Sequence, residues 1–241
     1  MRTFVIELRK EKRTGIIPLM IAIGVLGAAY AFINFTIRKD TLLNLPLAPM
    51  DVLLTQLYGM LMVLNMFGII TAACMIYNME FKGGSIKKMY LLPIRVPVIY
   101  WCKFLILTVL LFIVVCFQNI ALAQIGMTTL PKGSFAPCTL ISFAGYSFLT
   151  SMPVLSFMLF IASCFENLWI SLGIGVAGFL SSMALAASET TGFLIHPFVV
   201  MFYPAIAMSA HPDIIVVIVS LAETIIFLCA GLYSAKNLHY E

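Results

Sequence analysis

Residues 80–103 read EFKGGSIKKMYLLPIRVPVIYWCK, from Glu80 to Lys103. The segment is basic and partly polar, and it is clamped between two long apolar runs, so both runs must leave a bilayer on the same side. Gly83 and Gly84 loosen the chain, Ser85 can cap the N–H groups that follow it, and Pro93 cannot continue a helix past Leu92. A short helix is therefore expected over Ser85 to Leu92. On it Ile86, Met89 and Tyr90 share one face while Lys87 and Lys88 lie off that face. A short helix with one apolar face, held outside the membrane, is suited to dock into a partner. The competing reading is an ordinary cytoplasmic loop whose lysines only set topology.

Working outward, the 241 residues are 62% hydrophobic and 10% charged, with a mean hydropathy of +1.08, which places the chain among integral membrane proteins. The basic residues are few enough to place singly. Arg2, Arg9, Lys10, Lys12 and Arg13 precede the first apolar run, Lys82, Lys87, Lys88, Arg95 and Lys103 lie in the opening stretch, and Lys236 is near the end. Arg38, Lys39 and Lys132 occupy the alternate loops. Assigning the richer set to the cytoplasm sets the orientation. The net charge of +4 then reports topology, and a nucleic-acid partner is not expected. Six cysteines stand singly in or beside apolar runs, without a C-x-x-C pair, and read as buried thiols.

In order, Met1 to Thr14 puts Phe4, Val5 and Leu8 at helical spacing with charges on the other side, as in an interfacial helix (1–14) along the inner leaflet. A removed signal peptide is the rival, suggested by Ala29-Tyr30-Ala31, but Glu7, Glu11 and a run continuing to Phe35 are atypical of one. Six spans are expected at 15–35, 53–77, 98–124, 140–164, 168–187 and 214–235, each near the ~20 residues that cross the hydrocarbon core. Thr36 to Asp51 reads as an external loop and Met127 to Cys138 as an external turn. Gly24 with Ala28, Gly27 with Ala31, Gly173 with Ala177, and Gly178 with Ser182 have the spacing of close-packing faces. The second span is rich in methionine (Met60, Met62, Met66, Met75), as core filler or as an adaptable apolar face. Pro153 can kink the fourth span. Segment 188–213 is apolar yet carries Pro197, Pro204, Pro212, His196 and His211, so it reads as a broken, partly re-entrant external hairpin, with a seventh span as the rival. The expected fold is an all-α, single-domain bundle of six transmembrane helices with both termini in the cytoplasm.

The inventory of chemistry is short. There is no nucleophile elbow, no H-E-x-x-H pair and no phosphate-binding loop, so any ATP that drives this protein must be bound by another chain. Ser181 and His196 could be imagined as a hydrolase pair, but they lack motif context. Glu223 lies in the last span, where an acid costs ~2.5–3.5 kcal/mol on insertion scales, and it is an intramembrane functional candidate. The bland alternative is a neutral carboxyl, or one hydrogen-bonded to Ser220 or Thr224.

Glu80, Gly84-Ser85, Pro93, Arg95 and Lys103, in that order, resemble the pattern of type-2 ABC exporter permeases. In that family an acid closes the second span, a Gly-Thr or Gly-Ser opens a coupling helix, and a Pro-x-Ser or Pro-x-Arg ends it before a lysine. The amphipathic start, six spans and broken hairpin are also similar, so the resemblance covers the whole chain. Its length and its methionine-rich spans look most like permeases of lantibiotic and bacitracin self-protection transporters. The resemblance implies a separate ATPase subunit carrying ATP and Mg, a second permease chain, and a peptide or lipid-like substrate in the membrane. It also implies an ATPase contact through Glu80, Gly84, Ser85, Ile86, Met89, Tyr90, Pro93 and Arg95. The alternatives are a non-transport receptor or assembly subunit, and a permease for another lipid-like or drug substrate.

Overall fold

The protein is described by a computed structural model that covers residues 2–12, 14–43, 47–81, 96–131, 134–186 and 194–237. Long apolar segments leave the backbone no water to bond with, so each closes its hydrogen bonds within a helix. The described elements are α1 (Arg2–Glu11), α2 (Ile16–Leu43), α3 (Pro49–Phe81), α4 (Val96–Thr129), α5 (Pro137–Cys164), α6 (Leu168–Ala186), α7 (Pro197–Ile206) and α8 (Ile214–Asn237), with no strand among them. α3 opens with a π turn over Val52–Gln56. Six of these helices are long and apolar enough to cross a membrane: α2, α3, α4, α5, α6 and α8. This is the all-α membrane bundle expected from the hydropathy pattern.

Burial sorts the helices into layers. In the most apolar window of α5, 67% is buried against 22% in α6, so α5 belongs to the interior and α6 to the rim. α5 packs along α8 and α3, while α2 lies across α4 and α3. The small residues of α2 permit that second contact, with Gly24 against Val114 and Phe117 and Ala31 fully buried. Gly178 and Ser182 also lie on a packed side, Gly178 under the Phe198 ring of α7. The pairing of Gly173 with Ala177 is corrected, because nothing lies near Gly173 and both residues face outward. Here α6 turns Gly175 and Gly178 inward instead.

Two further expectations are corrected. The segment from Thr36 to Asp51 is not all loop, since α2 continues to Leu43 and α3 begins at Pro49. Hydropathy marks where lipid ends, not where helical hydrogen bonding ends, and buried Leu42 anchors the extension. The cysteines are free, but only Cys74 and Cys102 are buried, while Cys138 and Cys229 lie on the outer surface. A small apolar thiol is as compatible with a lipid-facing position as with a packed one. Met62 and Met66 are fully buried filler, whereas Met60 is exposed.

α7 has 10 residues, about 15 Å of helix, which is half the hydrocarbon thickness. Its apolar side, Phe198 to Phe202, is buried. The segment after it is tied down by polar contacts. Ala210 N–H donates to Asp51 Oδ1 at 2.9 Å, and Tyr203 Oη donates to Asp213 Oδ2 at 3.3 Å. Asp213 Oδ1 also accepts the N–H of Ile215 and caps α8.

Deep in the bundle, Asn65 of α3 and Gln118 of α4 exchange two hydrogen bonds of 2.9 and 2.7 Å, both side chains buried. Gly27 of α2 covers this pair, and a Cβ there would meet Gln118 Nε2 at 2.5 Å. Gly27→Ala is therefore expected to break the amide pair and destabilise the protein by about 1–3 kcal/mol, the cost of leaving a buried polar group unsatisfied. Thermal unfolding in detergent measures it. An Asn65→Leu/Gln118→Met background should tolerate the Gly27→Ala change, and equal loss in both backgrounds would place the strain elsewhere.

Candidate functional site

Glu7 and Glu11 stand four apart on α1 and so share one face of that helix. Both are 2% exposed, while Val5, Ile6 and Leu8 face outward. The helix thus turns its acids into the bundle, where Phe4 also packs against the core. Thr14 fixes the exit from α1, its hydroxyl donating to the carbonyl of Glu11 at 2.8 Å. Gly15 then takes φ +81°, a left-handed conformation that lets the chain bend sharply into α2.

What the two acids meet is Lys103, one of the largest fully buried side chains. Its Nζ lies 3.0 Å from Glu80 Oε1, 3.7 Å from Glu7 Oε2 and 4.0 Å from Glu11 Oε1. It donates to the carbonyl of Ile76 at 3.1 Å and stands 5.0 Å above the Tyr77 ring. Lys10 closes the group from the rim, 2.6 Å from Glu7 and 3.6 Å from Glu80. Three carboxylates and two ammonium groups from α1, α3 and α4 form one buried network. Glu80 and Lys103 stand in sequence on either side of residues 82–95, and both pair with charged groups of α1.

With every group ionised, three negative charges face two positive ones. Burial is the main reason the Glu11 carboxyl is held above its ordinary range, with Lys103 and the Thr14 hydroxyl opposing it and Glu7 and Glu80 adding to it. Burial alone would lower the Lys10 ammonium, but the hydrogen bond and charge of Glu7, with Glu80 behind them, hold it above its usual value. A carboxyl raised on folding stabilises the folded state fully below its unfolded pKa and loses that contribution as pH rises through the folded pKa. The protein should therefore lose stability as pH climbs from about 4.3, the ordinary glutamate value, through the raised folded value of Glu11. Glu11→Gln should flatten that limb of a melting temperature against pH curve, and an unchanged limb would assign it to another group.

A family model described as ABC-2 family transporter protein matches residues 3–182, from α1 through most of α6. The chain belongs to that family. No curated protein and no solved structure matches it. As an ABC-2 transporter protein it is the membrane transport subunit and not the ATPase, and the family implies an ATPase partner.

In this ABC-2 chain, Glu80 of the sequence-predicted contact residues falls in the buried network. Gly84, Ser85, Ile86, Met89, Tyr90, Pro93 and Arg95, with the short helix expected over them, lie outside the described residues. Beside the start of that segment is a cleft of about 440 Å³ lined by Asn78, Phe81, Glu166, Asn167, Leu168 and Trp169. Sequence reasoning missed Glu7, Glu11 and Lys10 as site residues. The available signal was a lysine inside an apolar run, Lys103, which demanded acidic partners, and two acids at helical spacing that could supply them.

The remaining candidates sit apart from this network. Ser181 and His196 do approach, Oγ to Nε2 at 3.3 Å. The Ser181 hydroxyl also donates to the carbonyl of Gly178 at 2.9 Å, the back-bond of a serine inside a helix. Burial also lowers the His196 pKa, and its Nδ1 has no partner among the described residues to orient the ring. Glu223 is 7% exposed, and neither carboxyl oxygen has a hydrogen-bond partner among the described residues. The bonds expected from Ser220 and Thr224 are absent, because those hydroxyls donate to the carbonyls of Val216 and Ser220.

Proposed function

We propose that this ABC-2 subunit expels amphipathic antimicrobial peptides of the lantibiotic or bacitracin type from the membrane, driven by a separate ATPase subunit that binds ATP and Mg. The single observation that carries the coupling is the ion network of Glu7, Glu11, Glu80, Lys10 and Lys103, which joins both ends of the 82–95 segment to α1. The peptide substrate is supported by the resemblance of length and methionine-rich spans.

In this reading the ATPase grips the 82–95 segment through Ser85, Ile86, Met89 and Tyr90 and also enters the cleft beside Trp169, which is 74% exposed. Closure of two ATPase subunits on ATP moves the segment, and alternating access in a pair of permease chains follows. Such a shift requires differential contact in the two states, and the docked segment supplies it. Co-purification of the tagged chain with an ABC ATPase subunit from its host cells, and stimulation of that ATPase by a cationic lantibiotic in proteoliposomes, tests the function. An ATPase that binds but is never stimulated by such peptides would point to another substrate, and absence of any ATPase would point to a receptor or assembly role.

The proposal places α1, the 82–95 segment and the end of α8 in the cytoplasm. Single cysteines in a cysteine-free background should react with an impermeant maleimide from outside at position 132, and only from inside at positions 12 and 236. Reaction of position 236 from outside would establish seven spans.

A further inference from the structure

Two of the buried polar side chains without a hydrogen-bond partner among the described residues, Glu223 of α8 and Thr108 of α4, lie at one depth of the bundle. On α8, the stripe of Ser220, Glu223, Phe227, Gly231 and Ser234 follows helical spacing and faces the bundle. Phe227 meets Phe157 of α5 with ring centroids 5.1 Å apart, and Ser234 meets Cys164 at 3.6 Å, so the two helices run in parallel with one constant offset. Continued by one turn, that register brings Glu223 level with Pro153. Gly231 is packed under the Tyr100 hydroxyl of α4, and Phe112 of α4 meets Phe148 of α5 at 5.6 Å. Those contacts bring Thr108 of α4 to the same level within a turn.

Each helix contributes acceptor capacity there. Both oxygens of Glu223 and the Thr108 hydroxyl are buried without a hydrogen-bond partner among the described residues. Pro153 lies inside α5 and has no N–H for the carbonyl of Leu149, four residues earlier. On the described spans that meet here, α4, α5 and α8, the basic residues are Lys103, which is already paired with Glu7, Glu11 and Glu80, and Lys236, near the end of α8. An acceptor-rich site calls for a ligand that only donates. A primary ammonium has three N–H donors and no acceptor. A hard divalent cation would want about six oxygens, and no group of three or more metal-ligating side chains occurs among the described residues.

We propose that Glu223, Thr108 and the Leu149 carbonyl form an intramembrane site for a primary ammonium group. It rests on the reading of this chain as a peptide permease for its purpose, since a lysine side chain or free N-terminus of the substrate would carry such a group. A phosphatidylethanolamine headgroup carries the same chemistry.

Dicyclohexylcarbodiimide, a lipid-soluble carboxyl reagent, tests the site on the purified chain in phosphatidylcholine vesicles, with mass spectrometry reading the label at Glu223. Saturating dodecylammonium is expected to slow labelling about tenfold by mass action, while dodecanol and dodecyltrimethylammonium leave it unchanged. Thr108→Val should keep the labelling but raise the dodecylammonium concentration needed by about tenfold, the worth of one hydrogen bond to a charged group. Protection by phosphatidylethanolamine vesicles, or by a lysine-bearing amphipathic peptide but not its acetylated form, tells which source supplies the ammonium. Equal protection by dodecanol, no protection by dodecylammonium, or no label at Glu223 would each overturn the site. None of these results depends on an ATPase, so failure here leaves the permease reading to its own test.

Discussion

Lys103→Met should detach α1 from the bundle and uncouple the transporter. The substitution keeps side-chain length and apolar packing but leaves Glu7, Glu11 and Glu80 buried with Lys10 as their remaining countercharge. Removing one partner of a buried ion pair costs about 3–5 kcal/mol, because the surviving charges have lost water and gained nothing in exchange. Thermal unfolding in detergent should show that loss, and substrate-stimulated ATPase activity should fall to the basal rate. Adding Glu80→Leu restores the original charge imbalance of the network and should recover part of the stability, since apolar replacements of whole buried pairs are well tolerated. A Lys103→Met protein that unfolds within about 1 kcal/mol of the parent would show that the network holds nothing together.

Met89→Asp should abolish substrate-dependent ATPase activity while the permease still inserts and folds. The apolar face of Ile86, Met89 and Tyr90 is the expected contact with the ATPase, and burying one such side chain is worth roughly 1.5–3 kcal/mol. A charge placed there loses that term and must also be desolvated on docking. Lys87→Gln, off the face, should do much less. Equal loss from both changes would make charge, and not a docked apolar face, the basis of the contact.

The spans were legible because each is a long apolar run, and the break at α7 was legible because Pro197, Pro204 and Pro212 interrupt an otherwise apolar segment. Helix ends were not. Thr36, for example, donates its hydroxyl to the Phe32 carbonyl at 2.8 Å and stays helical, although its residue type suggests a loop. Glu80 and Lys103 stood out through a motif, but their partners Glu7 and Glu11 lie far away in sequence and looked like the solvated side of an amphipathic helix. The Asn65–Gln118 pair was equally hidden, since 53 residues separate two amides that carry no local pattern. Pairings of this kind are set by how helices pack, and periodicity along one helix does not encode them.

α3 spans 33 residues, about 50 Å of continuous helix, and is held at three places. Near one end Asp51 grips the backbone at Ala210, near the other Glu80 is paired to Lys103, and Asn65, midway between Pro49 and Phe81, is clasped by Gln118. A stiff rod pinned at its centre is a balanced beam. Under the proposed coupling, a displacement of Glu80 beside Lys103 would be carried along this helix past Asn65 to the Asp51–Ala210 contact, and so to the segment that follows α7.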